Sequence, residues 1–159
     1  MAMRNLILIR HSYAESRSDD GDMGRELSEH GVEKLRSQIK RLGDFPKVEL
    51  AHISPAKRTK QTFELLNEYL NVANNMAWIH NDIYNGSYLD YAQLLSLSPV
   101  ELNTVVLIAH NPSLSYLASK LCSEFNNGFN PGDILWLRAE LKDWDVIHAK
   151  WSFKNFLSE

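Results

Sequence analysis

Two histidines and three arginines stand out in this chain as residues whose types and positions could do chemistry together. The segment NLILIRHS runs apolar up to Arg10 and His11, and NTVVLIAHNP does the same up to His110. In open α/β sheets, ligands bind beyond the carboxyl ends of the strands. Two histidines delivered to that edge could share one site, although each could also do no more than satisfy a local backbone group. SPAKRTKQT places Arg58 in the first turn of a helix that follows a strand. A cation there opposes the helix dipole, at a cost of about a few tenths of a kcal/mol. An anion at the same helix end, where free N–H groups point, would remove the conflict. Arg25, in GRELSEHG, is either a solvated loop charge or a further cation for the same anion. Arg10, Arg25 and Arg58 together could hold a phosphate dianion, because a planar guanidinium donates two parallel hydrogen bonds to it.

The elements that must position these residues alternate along the chain. Residues 5 to 11 form a continuous apolar run typical of a strand buried on both faces. YAESRSDDGDMGRE is polar and reads as a loop. In LSEHGVEKLRSQIKRLG, the residues Val32, Leu35, Ile39 and Leu42 recur at helical spacing, and Gly43 sits where a C-terminal cap belongs. VELAHIS is a short strand. SPAKRTKQTFELLNEYL opens with Ser54 and Pro55, a good helix start, and carries Phe63, Leu66 and Leu70 on one face. A short strand is expected over Met76 to Ile79, a short helix in YAQLLSL, and a strong strand in NTVVLIAH. Leu114, Leu117, Ala118 and Leu121 mark the next helix. ILWLRAELKDWDVIHAKWSF predicts two strands joined by a tight turn near Lys142 and Asp143. Strands alternating with helices imply an α/β sandwich with an antiparallel hairpin at one side.

The bulk composition limits the partners. The chain has 159 residues, 44% of them hydrophobic and 23% charged, which suits one domain with a real core. The formal net charge of -3 favours neither a nucleic-acid nor a membrane surface. A lone cysteine, Cys122, forms no internal disulfide and suits a reducing compartment such as the cytoplasm. The apolar segment at the start of the chain reads as a strand rather than a signal peptide.

RHS, LSEHG, SPAKRTKQT and AHNP, in this order, resemble the histidine phosphatase superfamily. The short chain and RELSEHG resemble its small branch, the SixA-type phosphohistidine phosphatases. The resemblance runs from the first strand to the helix after His110. It implies one histidine phosphatase domain over residues 1–159 with the phosphoglycerate mutase-like fold. That fold is a three-layer α/β/α sandwich with a mostly parallel central sheet and an antiparallel C-terminal hairpin. It implies His11 as a transiently phosphorylated nucleophile, Arg10 and Arg58 as phosphate-pocket arginines, and His110 as the second pocket histidine. Arg25 matches a further arginine of the branch, and the backbone N–H of Asn111 matches one that holds the phosphoryl group. Family members need no metal and no other cofactor.

Elementary chemistry is consistent with those roles. A neutral imidazole nitrogen is a competent nucleophile near pH 7. It splits hydrolysis into two phosphoryl transfers, and arginines stabilise the charge that spreads over the equatorial oxygens. The other ring nitrogen of His11 needs an acceptor, for which a nearby backbone carbonyl is the natural candidate. The motif usually reads Arg-His-Gly, whereas this chain has Ser12 at the third position. Many relatives place a glutamate after the third strand as general acid. Asp82 stands nearest that place, as an acid, a substrate contact or a turn residue. A metal site of His11, His110 and Asp82 is disfavoured by the adjacent arginines. His30, His52, His80 and His148 read as solvated, loop or structural residues, with His148 in the last strand. Trp136, Trp144 and Trp151 are expected to pack the terminal hairpin against a helix layer.

Three functions compete. The first is a phosphatase acting on phosphohistidine in a phosphotransfer protein, for which a short chain without a lid leaves the pocket open. The second is a broad-specificity phosphomonoesterase for small phosphorylated substrates, which would depend on Asp82. The third is an inactive module that binds phosphate or a phosphoprotein. All three are soluble, act without nucleic acid or membrane, and fit a monomer.

Overall fold

The alternation of apolar residues along each strand determines how the sheet is sandwiched. The computed structural model describes residues 1–159. Six strands form one sheet: β1 (Ala2–Arg10), β2 (Leu50–Ile53), β3 (Ala77–Ile79), β4 (Thr104–Ala109), β5 (Ile134–Leu141) and β6 (Ser152–Leu157). Their spatial order is β3-β2-β4-β1-β5-β6. The pairs β3/β2, β2/β4 and β4/β1 are parallel, whereas β5 runs antiparallel to both β1 and β6. Leu6, Leu8, Val105, Leu107, Leu135 and Leu137 face one apolar cluster, and Ile7, Ile9, Val106, Ile108, Ile134 and Trp136 face another. This period-two split is what a sheet covered on both faces requires.

Four helices cover the two faces. They are α1 (Glu29–Ile39), α2 (Lys57–Leu70), α3 (Tyr88–Leu95) and α4 (Ser113–Leu121). Leu35 of α1 and Phe63, Leu66 and Leu70 of α2 join one cluster. Leu94 and Leu95 of α3, with Leu114, Leu117 and Leu121 of α4, join the other. The result is the expected three-layer arrangement with a mostly parallel sheet.

Three local expectations are corrected. β5 and β6 are joined by the ten residues 142–151, which hold a 3-10 turn over Val146–His148, not by a tight turn. His148 therefore lies in that connection rather than in a strand, exposed and paired with Asp145. Trp144 and Trp151 of the same connection are buried in the α3/α4 layer, and Trp136 packs in the α1/α2 layer. In α1 the helix stops at Ile39, short of Gly43. Its buried face includes Lys34 and Gln38, which hydrophobic spacing alone does not pick out. Gln38 Nε2 donates to the carbonyls of Gly132 and Leu157 at 2.9 and 2.8 Å. Lys34 Nζ reaches the fully buried Asp133 at 2.8 Å.

One close approach connects α1 to the end of β1. The Ser28 side chain caps α1 by accepting from Gly31 N, and both N–H and hydroxyl of Ser28 donate to the carbonyl of Tyr13. A Cβ at Gly31 would stand 2.0 Å from that carbonyl oxygen. Gly31→Ala is therefore expected to destabilise the fold by about 1–3 kcal/mol, as overpacking does. Gly43→Ala, with nothing within 4 Å of its Cβ position, should stay within about 0.5 kcal/mol. Urea unfolding of the two variants checks this, and equal effects would contradict the close-approach account.

Candidate active site

The register of β1 and β4 brings the two histidines together. Arg10 pairs with Ala109 in this parallel ladder, so the next residues, His11 and His110, leave the sheet edge side by side. Their ring centroids are 5.2 Å apart. His11 N donates to the carbonyl of Ala109, which fixes the backbone at the step out of the strand.

His11 is held in one tautomer. Its Nδ1 lies 2.8 Å from the carbonyl oxygen of Ser12. A carbonyl only accepts, so Nδ1 carries the proton and Nε2 keeps a free lone pair. Ser12 is itself pinned: its N–H donates to Thr62 Oγ1 at 3.1 Å and its hydroxyl donates to the carbonyl of Gly31 at 2.8 Å. The serine at the usual glycine position is thus fully buried and hydrogen-bonded. Gly132 leaves it room, since a Cβ there would lie 2.9 Å from Ser12 Oγ.

Arg58 enters from the first turn of α2. Its Nε points at His11 Nε2 at 3.4 Å. Its Nη1 donates to the carbonyl of Asp22 at 2.8 Å, and its Nη2 to the carboxylate at 3.2 Å. Arg10 is steered from another direction, its Nη1 donating to the carbonyl of Phe129 at 2.8 Å. The Arg10 Nε is buried and has no acceptor in the protein. The Asn111 side chain donates to the same Phe129 carbonyl at 3.1 Å, while its backbone N–H makes no backbone hydrogen bond. His110 is 9% exposed and pairs through Nε2 with the Ser54 hydroxyl at 2.6 Å.

Arg25 joins the group indirectly. Its Nε donates to the carbonyl of Glu15 at 2.7 Å and its Nη1 to the Asp22 carboxylate at 2.8 Å. Asp82 is not brought in. It sits exposed in the 3-10 turn Asn81–Ile83 and lines a cavity with Asp90, Gln93, Leu94 and Leu97. Two residues on, Tyr84 takes the place at the rim. Its ring stands edge-on to His110 at 5.7 Å, and its hydroxyl donates to Asp22. Sequence reasoning missed Asp22, Tyr84, Ser54 and Thr62. Asp22 lies among Asp19 and Asp20 in a polar loop, and nothing in DDGDMGR distinguishes it. No cluster of three or more His, Cys, Asp or Glu side chains forms, so His11 and His110 lack a further ligand of the usual metal-binding kinds.

Burial dominates the electrostatics. It pushes His11 down to about 3, with His110, Arg58 and Arg10 lowering it further against the Ser12 hydrogen bond. Burial and then Arg58 push His110 down to about 4. Both rings are neutral at pH 7. Asp22 is held well below the usual carboxylate range, first by the Tyr84 hydrogen bond and then by Arg25 and Arg58. The arrangement presents a neutral, oriented imidazole nitrogen beside guanidinium donors. It can attack an electrophile and hold the negative charge that the attack creates.

The histidine phosphatase superfamily (branch 1) model matches residues 6–82. No curated protein sequence matches the chain. Among solved structures, the protein histidine phosphatase SixA complexed with tungstate is 25% identical, with a TM-score of 0.80 over 97% of this chain and 96% of that one. A protein from Nakamurella multipartitia assigned as a SixA phosphohistidine phosphatase is 20% identical, with a TM-score of 0.86 over 99% and 97%. A mycobacterial glucosyl-3-phosphoglycerate phosphatase is 16% identical, with a TM-score of 0.67 over 96% and 97%. The last two likenesses establish a shared fold. No helix is long and apolar enough to cross a membrane.

The buried histidines make stability depend on pH in a defined direction. His11 and His52 are held at about 3 and His110 at about 4, against about 6.5 in an unfolded chain. Below about 6.5 the unfolded chain binds protons that the native state refuses, so stability falls as pH falls. The thermal midpoint should be level above about pH 7 and drop steadily between about 6.5 and 5, above the range where carboxylates titrate. A level profile across that window would mean that these rings accept protons in the fold.

Proposed function

We propose that the chain is a histidine phosphatase that carries the phosphoryl group on His11 Nε2 and takes it from phosphohistidine in a phosphotransfer protein, a reading supported by the superfamily model over residues 6–82 and by the likeness to a protein histidine phosphatase. The observation that carries this reading is the state of His11. Its Nδ1–H is fixed on the Ser12 carbonyl, and its Nε2 lone pair faces Arg58 Nε at 3.4 Å.

In the first step the P–N bond of the donor breaks as a P–N bond forms to His11 Nε2. The donor imidazole departs neutral once its other ring nitrogen is protonated. In the second step water attacks phosphorus, the P–Nε2 bond breaks, and inorganic phosphate leaves with His11 neutral again. A proton of the water passes to phosphate or solvent. Arg10, Arg58 and the Asn111 N–H hold the equatorial oxygens, as preorganised donors do in phosphoryl transfer. An arriving dianion also favours the protonated form of His110, which then adds a donor. The guanidinium groups meet the charge, so the reaction as proposed uses no metal.

The leaving group decides between substrates. An alkyl phosphate leaves as an alkoxide unless an acid protonates it. Asp82 lines another cavity and makes no contact with His11 or His110, and Asp22 is held ionised by three donors. A phosphoramidate needs no such acid, which favours phosphohistidine over an ester. The likeness to a protein histidine phosphatase supports the same choice.

The test is a trap. The protein is mixed with a phosphorylated histidine phosphotransfer domain or with p-nitrophenyl phosphate, quenched in alkali, and searched by mass spectrometry. Acid-labile phosphate on His11 from the protein donor is expected, and His11→Ala should abolish it. Arg58→Ala should slow turnover by about 10²–10³-fold, the usual loss for one charge-stabilising donor. Asp82→Asn should change turnover by less than about threefold, where loss of a general acid would cost about 10²-fold or more. Labelling mainly from the ester, with Asp82 required, would make the chain a phosphomonoesterase. No labelling from either donor would leave a phosphate-binding module.

A further inference from the structure

Asp22 is the residue at this site that the proposed reaction does not use, and it has the most contacts. Its carboxylate accepts from Arg25 Nη1 at 2.8 Å, from Arg58 Nη2 at 3.2 Å and from the Tyr84 hydroxyl. Its carbonyl accepts from Arg58 Nη1 at 2.8 Å. Both terminal nitrogens of Arg58 are therefore tied to one residue, while Nε faces His11 Nε2. A guanidinium is planar and rigid, so anchoring its two terminal nitrogens fixes the plane and the direction in which Nε points. Arg58 is itself only 6% exposed, whereas half of the Asp22 side chain faces solvent. The contact joins the loop after β1, the first turn of α2 and the turn after β3, which otherwise approach the pocket from separate parts of the chain.

We propose that Asp22 is a positioning residue, which aims Arg58 at the phosphoryl site on His11 and ties Arg25 and Tyr84 to the same rim. This rests on the reading of the pocket as a phosphoryl site. The alternative role is the opposite one, in which the carboxylate is an internal anion that substrate must displace. The two differ in sign. Removing a negative charge beside an anion pocket strengthens anion binding by Coulomb's law alone. Losing the aim of Arg58 weakens it.

Tungstate, a tetrahedral oxyanion, is the probe, with affinity read by calorimetry on the full chain. Asp22→Ala should bind tungstate about tenfold more weakly, the scale of one charge-assisted hydrogen bond to the anion. The Asp22 carbonyl contact survives in this variant, so the loss reports on the carboxylate. Asp22→Asn, which keeps one accepting oxygen, should recover part of the affinity. Asp19→Asn removes the same charge from the same loop without a contact to Arg58, and should bind as the wild type does. The unfolding midpoint of Asp22→Ala should fall by no more than about 4 °C, because half of the side chain is exposed and the Asp22 carbonyl still accepts from Arg58. Tighter binding by Asp22→Ala would overturn the proposal in favour of a displaced anion, and unchanged binding would overturn it outright. Wild-type protein that binds tungstate but hydrolyses nothing would sink the phosphatase reading and leave this inference to stand on the variants. Wild-type protein that does not bind tungstate would overturn both.

Discussion

The site depends on one proton staying on Nδ1 of His11. With the proton there, Nε2 is a lone pair aimed at the pocket; with the proton on Nε2, the same ring could not attack anything. The bond that decides this runs 2.8 Å to the carbonyl of the next residue, Ser12. A carbonyl can serve only if its peptide plane is held still. Ser12 is held by Thr62 of α2 through its N–H and by Gly31 of α1 through its hydroxyl. Thr62 in turn donates to the carbonyl of Arg58, one turn back in the same helix. The tautomer of one imidazole is thus a consequence of how two helices dock on the sheet. The glycines that permit the docking, Gly31 against Tyr13 and Gly132 against Ser12, contribute by lacking a side chain.

Neutral histidines among arginines require a balance of two costs. Burial removes the water that would stabilise an imidazolium, and the neighbouring guanidinium groups oppose it further. The guanidinium groups cannot lose their charge, so they need acceptors of their own. Arg58, nearly buried, finds a carboxylate and a carbonyl on Asp22. Arg10 finds the carbonyl of Phe129, in a loop pinned by Asp133. Asp133 is fully buried and answers Lys34, whose ammonium also reaches Glu159. The positive pocket is therefore supported by polar contacts behind it and at its rim, and Arg10 Nε is buried without a partner.

The parts of this design that repeat along the chain were legible in the sequence. Apolar runs ending in His11 and His110 implied that two histidines could share one site at the sheet edge, and β1 and β4 do pair, in register at Arg10 and Ala109. The helix that begins near Arg58 follows from SPAKR and from the spacing of Phe63, Leu66 and Leu70. The parts that depend on pairing between distant segments were not legible. Lys34 and Gln38 look like solvent-facing residues of an amphipathic helix until Asp133 and Leu157 are placed against them. The 142–151 connection looked like a turn because Lys-Asp is polar, yet Trp144 and Trp151 pull it into the core. Asp22 and Asp82 are the sharpest case. Both are acidic loop residues, and the order of elements favoured Asp82. Only three-dimensional proximity shows that Tyr84, two residues on, reaches Asp22, while Asp82 lines another cavity with Asp90 and Gln93.

That difference bears on the chemistry more than on the fold. A carboxylate that accepts from two arginines and a phenol is fixed as an anion, so the same contacts that aim Arg58 exclude Asp22 as a proton donor. Tyr84 cannot take that part either, because its hydroxyl is committed to Asp22 and its pKa is raised by the contact. A site built in this way stabilises charge on the phosphoryl oxygens well and assists the leaving group poorly. In the proposed reaction the substrate must bring its own proton to the bond that breaks. A phosphorylated imidazole can do so near neutral pH, because protonation of its free ring nitrogen turns it into a neutral leaving group. An ester oxygen has no comparable second site. In the proposed reaction, a preference for phosphohistidine follows from the same contacts that hold Arg58, because they leave no proton donor for an ester oxygen.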